Sequence, residues 1–145
     1  MRQFFAFVLI YLLFIIQAGT LPYGPDFVLL AVVLFALHEH QTVATFLGLF
    51  AGLLFDLLNP GTFGLQILCL SIIGYGVATL RSLFYRSRWQ AVVFTFVGLL
   101  LKTGFESAAA IRPQLLTLIL TFGFTLILCP FAESGLIRLF YKRTE

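Results

Sequence analysis

Residues 52–66 read GLLFDLLNPGTFGLQ, and this stretch predicts how the chain folds. Asp56 interrupts a run of apolar residues, where a buried charge is costly unless other groups bind it. In Asn59-Pro60-Gly61-Thr62, proline at the second position and glycine at the third fit a type II turn. The stretch therefore predicts two apolar helices in an antiparallel hairpin, with Asp56 facing protein rather than lipid.

The composition of the whole chain is that of a membrane protein. Of its 145 residues, 61% are hydrophobic and 10% are charged, and the mean hydropathy is +1.05. These values lie outside the range of water-soluble domains. We expect a single all-α integral membrane domain, residues 1–145. The net charge of +3 does not indicate nucleic-acid binding, because the basic residues lie at the ends of apolar runs.

Six apolar runs predict six transmembrane helices. Their approximate bounds are 4–18, 26–37, 42–58, 63–80, 91–105 and 115–137. With the N-terminus in the cytoplasm, seven of the nine Lys and Arg residues fall on the cytoplasmic side. Both termini are therefore expected in the cytoplasm. We expect the first run to be an uncleaved helix, because the small-residue cleavage site of a signal peptide is poorly matched after it.

The third run carries a stripe of small residues that ends in an acid. Ala44, Gly48, Gly52 and Asp56 are four residues apart and share one helix face. Small residues at this spacing allow another helix to approach closely in a membrane. Gly74 and its neighbours form a similar cluster in the fourth run. Both faces predict close helix packing, either within the protein or with a partner helix.

Two further polar positions bear on the hairpin. Lys102 lies on a stripe of small and polar residues in the fifth run, and we predict that it forms a buried ion pair with Asp56. The alternative is that Lys102 extends to the headgroups while Asp56 caps a helix end or meets water. Asp26 directly follows Pro25 and is the predicted N-cap of the second helix.

Motifs for catalysis or metal binding are not found in the sequence. His38-Glu39-His40 is predicted to form a turn, because residues two apart on a helix do not face each other. Cys69 and Cys129 lie in apolar runs and are expected to be buried thiols. We therefore expect a protein that is not an enzyme and holds neither a metal nor a cofactor.

The order of several elements resembles the rod-shape-determining protein family MreD. These elements are Pro25-Asp26, the Gly-Leu-Leu-x-Asp-Leu-Leu stretch at 52–58, Gly64-Leu65 and Gly74-Tyr75. The resemblance covers about residues 25–81. It implies structural or interaction roles for the matching positions, which are Asp26, Gly52, Asp56, Gly64, Gly74 and Tyr75. It also implies a fold similar to the substrate-binding subunits of energy-coupling-factor transporters.

The resemblance implies a non-catalytic subunit of the bacterial inner membrane. The partners it implies are an MreC-like bitopic protein, the MreB filament, and the glycosyltransferase and transpeptidase that insert side-wall peptidoglycan. We expect the small-residue faces of helices three and four, including Gly48 and Gly52, to dock the MreC-like helix. The basic segments 81–88 and 138–143 are expected either to face anionic lipid and contact cytoskeletal partners or only to fix the topology.

The implied fold leaves a second function open. A vitamin-binding subunit of an energy-coupling-factor transporter has a small-molecule pocket. The candidates to line it are the polar residues expected on the outer side, Asp26, Asp56, Lys102, Glu106 and Arg112. Fold likeness alone does not decide between the two functions. Self-association also stays open from the sequence.

Overall fold

The computed structural model describes residues 2–19, 26–58, 61, 63–81, 90–108 and 115–136. These residues form six α-helices: α1 (Arg2–Gly19), α2 (Phe27–His38), α3 (Gln41–Leu58), α4 (Leu65–Leu80), α5 (Gln90–Ala108) and α6 (Leu115–Leu136). Each helix begins and ends within three residues of its predicted bounds. The predicted turn at 59–62 lies partly outside the described part of the chain. The basic residues within 82–89 and 137–145 lie wholly outside it.

The short helix α2 lies at the centre of the bundle and contacts the other five helices. Its sequence, FVLLAVVLFALH, is apolar on every side, which is typical of a helix surrounded by protein. The nine consecutive residues 28–36 are buried accordingly. An isolated helix of 12 residues is unstable, so α2 depends on its neighbours and on groups that bind its two ends.

Helices α3 and α4 form the predicted antiparallel hairpin, and their backbones touch. A Cβ atom on Gly48 would lie 2.2 Å from the carbonyl oxygen of Leu70, and one on Gly52 would lie 2.4 Å from the Cα of Ile67. The two helix backbones approach this closely only because glycine has no side chain at these positions. The stripe predicted on the third helix is therefore confirmed as the face that packs on α4.

The same contacts correct the docking prediction for the glycines. A Cβ atom on Gly74 would lie 2.5 Å from the carbonyl oxygen of Ala44, so this face of α4 is covered by α3. Gly48, Gly52 and Gly74 are all buried. The expectation that these glycines dock a partner helix is wrong, because the protein's own hairpin occupies both faces.

The remaining helices pack around α2, α3 and α4. The Phe14 ring of α1 meets the Phe55 ring of α3 edge to face, with centroids 5.3 Å apart. The Phe96 ring of α5 meets the Phe122 ring of α6 in the same way, at 6.0 Å. Helix α6 packs on α5 and α2. The bundle thus consists of an α2–α3–α4 core with α1 and an α5–α6 pair around it.

The bundle has the composition of a helical membrane protein. By length and composition, α3 is long and apolar enough to cross a membrane, and the other apolar stretches of the described residues are 10–17 residues long. Large apolar side chains are exposed on α1, α4, α5 and α6, and Phe131 is 75% exposed. An apolar surface of this extent is typical of contact with lipid or with another protein.

Candidate functional site

Buried polar groups converge at the start of α2. Asp26 is buried, and its Oδ1 accepts a hydrogen bond from the backbone N–H of Leu29 at 3.1 Å. This confirms the predicted N-cap. Gln17 of α1 completes it: Nε2 of Gln17 donates to Asp26 Oδ1 at 3.1 Å, and Oε1 accepts from the Val28 N–H at 3.0 Å. The amides of Val28 and Leu29 in the first turn of α2, which lack partners within the helix, are thereby bonded.

Helices α5 and α6 reach the same residue. Nζ of Lys102 forms an ion pair with Asp26 Oδ2 and lies 5.0 Å from the centroid of the Phe55 ring. The backbone N–H of Asp26 donates to Thr125 Oγ1 at 2.9 Å. We call Gln17, Asp26, Lys102 and Thr125 the Asp26 junction. It joins α1, α2, α5 and α6 at one side chain and its backbone.

The Asp26 junction is buried among the helices. Thr125 stands about halfway along α6, whereas Gln17 lies near the end of α1, so the start of α2 lies beside the middle of α6. A charge in such surroundings is tolerated when it is paired and hydrogen-bonded, and both carboxyl oxygens of Asp26 have donors. Chemically, the arrangement fixes the position of α2 against three neighbouring helices.

Asp56 forms a second polar site, where α4 begins. It is fully buried, and its carboxyl oxygens accept from the backbone N–H groups of Gly64 at 2.9 Å, Gln66 at 3.2 Å and Ile67 at 3.0 Å. Gly64 is the N-cap residue of α4, with φ of 96°, and has no side chain to bond those amides. Asp56 therefore caps α4 from the neighbouring helix.

The predicted ion pair between Asp56 and Lys102 is wrong. Asp56 binds the start of α4, whereas Lys102 pairs with Asp26. The physical reason is the position of α5, which packs against α2, where Asp26 lies, and which in the described part of the chain is not among the close neighbours of α3, which carries Asp56. The alternative is confirmed for Asp56, which caps a helix end, but it is wrong for Lys102, which pairs with Asp26 instead of extending to the headgroups.

Arg81 binds the other end of α2. Its Nη1 donates to the carbonyl oxygens of Leu37 at 3.0 Å and Ala36 at 3.4 Å. The last carbonyls of a helix lack partners within it, and a cation there is favourable. The sequence interpretation gave Arg81 a role only at the membrane surface and missed this one. It also missed Gln17 and Thr125, for which the available signal was a polar residue within an apolar run.

Replacing Arg81 by methionine is expected to lower the free energy of unfolding by about 1 kcal/mol, because two carbonyls of α2 lose a charged donor. The measurement is thermal unfolding in detergent micelles. Arg81→Lys, which keeps the charge on a different donor geometry, is the control and is expected to lose less. An unchanged midpoint for Arg81→Met would contradict the capping role.

The other residues singled out in the sequence lie away from the Asp26 junction. Tyr75 is 52% exposed on the outside of α4. The predicted turn after the second helix is confirmed: Glu39 is the C-cap of α2, and His40 is exposed. Cys69 and Cys129 are buried, as predicted. Among the described residues, no three His, Cys, Asp or Glu side chains are grouped closely enough to hold a metal ion.

The six apolar helices, the exposed apolar surface and the buried polar groups used for helix packing define a helical membrane protein. A family model described as rod shape-determining protein MreD matches residues 1–133. Because the match covers most of the 145 residues, the chain belongs to the MreD family, as the resemblance predicted. Neither the curated proteins nor the solved structures contain a significant match. The family assignment gives the protein a role in rod-shape determination.

Proposed function

We propose that this protein is a non-catalytic, multi-pass scaffold of the bacterial inner membrane that serves the cell-elongation machinery. Its six helices span the membrane with both termini in the cytoplasm. It binds an MreC-like bitopic protein, and with the MreB filament and the glycosyltransferase and transpeptidase pair it supports side-wall peptidoglycan synthesis. The observation that carries this proposal is the MreD family match over residues 1–133.

The polar residues support a scaffold over a vitamin-binding subunit. Asp26, Asp56 and Lys102 are three of the five side chains expected to line a vitamin pocket; Arg112 and the side chain of Glu106 lie outside the described part of the structure. In the structure, Asp26 and Lys102 bind each other, and Asp56 binds three backbone amides of α4. A ligand in their place would have to replace these buried contacts, each of which is costly to leave unmade. Their chemistry suits a rigid bundle.

The partner helix needs an exposed face, and α4 offers one. Tyr75 is 52% exposed, and a Cβ atom on the adjacent Gly76 would meet no other atom within 4 Å. Ile72 and Thr79, one turn away on either side, are also exposed. A glycine beside an exposed aromatic ring permits close approach and supplies an anchor. We place the MreC-like helix on this face of α4.

Gly76→Leu and Tyr75→Ala are each expected to reduce recovery of the MreC-like protein by about tenfold, because the first blocks close approach and the second removes the anchor. The measurement is purification of the tagged protein from its native membrane in mild detergent. Quantitative mass spectrometry of the accompanying proteins then gives the yield of the partner.

Gly123→Leu is the matched control, because Gly123 is an exposed helical glycine of α6 with no atom within 4 Å of its Cβ position. Its partner yield is expected to equal that of the wild type. Equal yields for all three variants would refute the α4 docking face while leaving the scaffold proposal intact. Recovery of a transporter coupling subunit with paired ATPases from the wild type would overturn the proposed function itself.

A further inference from the structure

The outward apolar surface of the α3–α4 hairpin is short along the helix axes. Large apolar side chains are exposed along both helices. The largely apolar stretches that carry them are residues 43–58 and 63–80, about 24 and 27 Å long at a helical rise of about 1.5 Å per residue. The hydrocarbon core of a typical bilayer is about 30 Å thick, and any tilt of the helices lowers the height that they cover. The hairpin is therefore too short for a typical bilayer.

Hydrogen bonds between helices fix one edge of this surface. Nε2 of Gln41 at the start of α3 donates to Oγ1 of Thr79 near the end of α4 at 3.0 Å. Nη1 of Arg81 donates to the carbonyl oxygen of Leu37 at 3.0 Å, and Nε2 of Gln90 donates to the carbonyl oxygen of Arg81 at 3.2 Å. These bonds hold polar groups of α2, α3, α4 and α5 at one level. Because the Arg81 side chain is turned toward α2, its charge stays at that level.

The Asp56 cap fixes the opposite edge of the hairpin. Helix α3 ends at Leu58, and α4 begins at Leu65. The carboxyl group of Asp56 accepts from the backbone N–H groups of Gly64 and Ile67, so it ties the end of one helix to the start of the other. A longer α3 or a shifted α4 would break these buried bonds. The height of the hairpin is thus set by contacts at both of its ends.

The other outward helices are similarly short. Within α1, α5 and α6 the largely apolar stretches are residues 4–19, 91–105 and 115–132, about 24, 22 and 27 Å long. In the sequence, polar or charged residues flank these stretches, namely Gln3, Thr20, Gln90, Glu106, Gln114 and Glu133. The short helix α2 is surrounded by protein and does not contribute. The described helices therefore agree on an apolar surface about 25 Å high.

We propose that this outward surface binds lipids with short acyl chains and thins a thicker membrane around the protein by about 5 Å. The inference rests on the membrane placement in the proposed function. Lipid chains adjust to the protein, because stretching the bundle would break the hydrogen bonds at its two edges, whereas acyl chains compress at modest cost. Two proteins with short apolar surfaces deform less membrane together than apart. The same surface thus favours association with other membrane proteins of short span.

The test compares four bilayers of increasing thickness. The full-length protein is placed in nanodiscs of dipalmitoleoyl, dioleoyl, dieicosenoyl or dierucoyl phosphatidylcholine, and its thermal unfolding midpoint is measured by circular dichroism. The midpoint is expected to be highest in the thinnest bilayer, dipalmitoleoyl, and about 5 °C lower in the thickest, dierucoyl. A maximum in either of the two thicker bilayers, or equal midpoints in all four, would overturn the proposal.

A variant with a longer apolar surface tests the cause of this dependence. His40→Leu combined with Thr42→Leu extends the apolar stretch of α3 by about 4 Å. Both residues are exposed, and His40 Nδ1 and Thr42 Oγ1 lie 3.1 Å apart, so the double change removes both partners of that bond. The double variant is expected to lose less stability than the wild type between the thinnest and the thickest bilayer.

Val97→Leu is the matched control, because Val97 is exposed in the middle of α5 and the change adds apolar volume without lengthening the surface. Its dependence on thickness is expected to equal that of the wild type. If the longer variant also matched the wild type, the proposal would be overturned. Release of the wild type from all four lipids, prepared as vesicles, by alkaline carbonate would instead refute the membrane placement in the proposed function.

Discussion

Replacing Gly48 by alanine is expected to lower the free energy of unfolding by about 3 kcal/mol, the upper part of the range for overpacked interiors. The added Cβ atom would lie 2.2 Å from the carbonyl oxygen of Leu70 and 2.8 Å from its carbonyl carbon. Both are backbone atoms of α4, so no side chain can rotate away, and the two helices must separate. The measurement is equilibrium unfolding in detergent micelles, followed by circular dichroism.

Gly76→Ala provides the control for this substitution within the same hairpin. A Cβ atom at Gly76 meets no other atom within 4 Å, and alanine favours helix over glycine by up to about 1 kcal/mol. Gly76→Ala is therefore expected to be neutral or slightly stabilising, whereas Gly52→Ala should resemble Gly48→Ala. Equal stability of Gly48→Ala and Gly76→Ala would show that the α3–α4 backbones do not touch as described.

The positions of the helices could be predicted because apolar runs, and the helix-breaking residues between them, can be recognised in the local sequence. Each described helix lies within three residues of its prediction, and the hairpin of α3 and α4 is antiparallel as expected. The stripe from Ala44 to Asp56 was likewise readable, since residues four apart share a helix face. What packs on that stripe was not readable, and the structure shows the protein's own α4 there.

The polar pairings were only partly predictable because they depend on which helices are neighbours. Asp26 lies at the start of α2, whereas Asp56 and Lys102 lie toward the last residues of α3 and α5. Because α2 runs opposite to α3 and α5, all three lie toward the same side of the bundle, and the sequence alone did not decide which acid Lys102 binds. The choice of Asp26 follows from α5 packing on α2, a property of the assembled bundle. Gln17 and Arg81 bind the two ends of α2 for the same reason. The N-cap by Asp26, a local interaction, was predicted directly, and the cap by Asp56 was one of two alternatives that the sequence left open.

Asp56→Ala is expected to lower the free energy of unfolding by about 3 kcal/mol or more, because it removes the acceptor for three backbone N–H groups at the start of α4. Gly64 cannot take over the cap, since it has no side chain. The measurement is the same unfolding experiment in micelles. We also expect the backbone amides of Gln66 and Ile67 in α4 to exchange hydrogen faster in this variant than in the wild type.

Asp56→Asn distinguishes the effect of the lost hydrogen-bond acceptor from the effect of a lost side-chain volume at this position. The amide has nearly the shape of the carboxyl group but a single acceptor oxygen, so it can satisfy some of the three donors and presents its NH₂ group to the rest. It is therefore expected to fall between Asp56→Ala and the wild type in stability. If Asp56→Asn and the wild type were equally stable, the second carboxyl oxygen would contribute nothing to the cap. If Asp56→Ala were also equally stable, the aspartate in the apolar run would have a role other than holding α4 against α3.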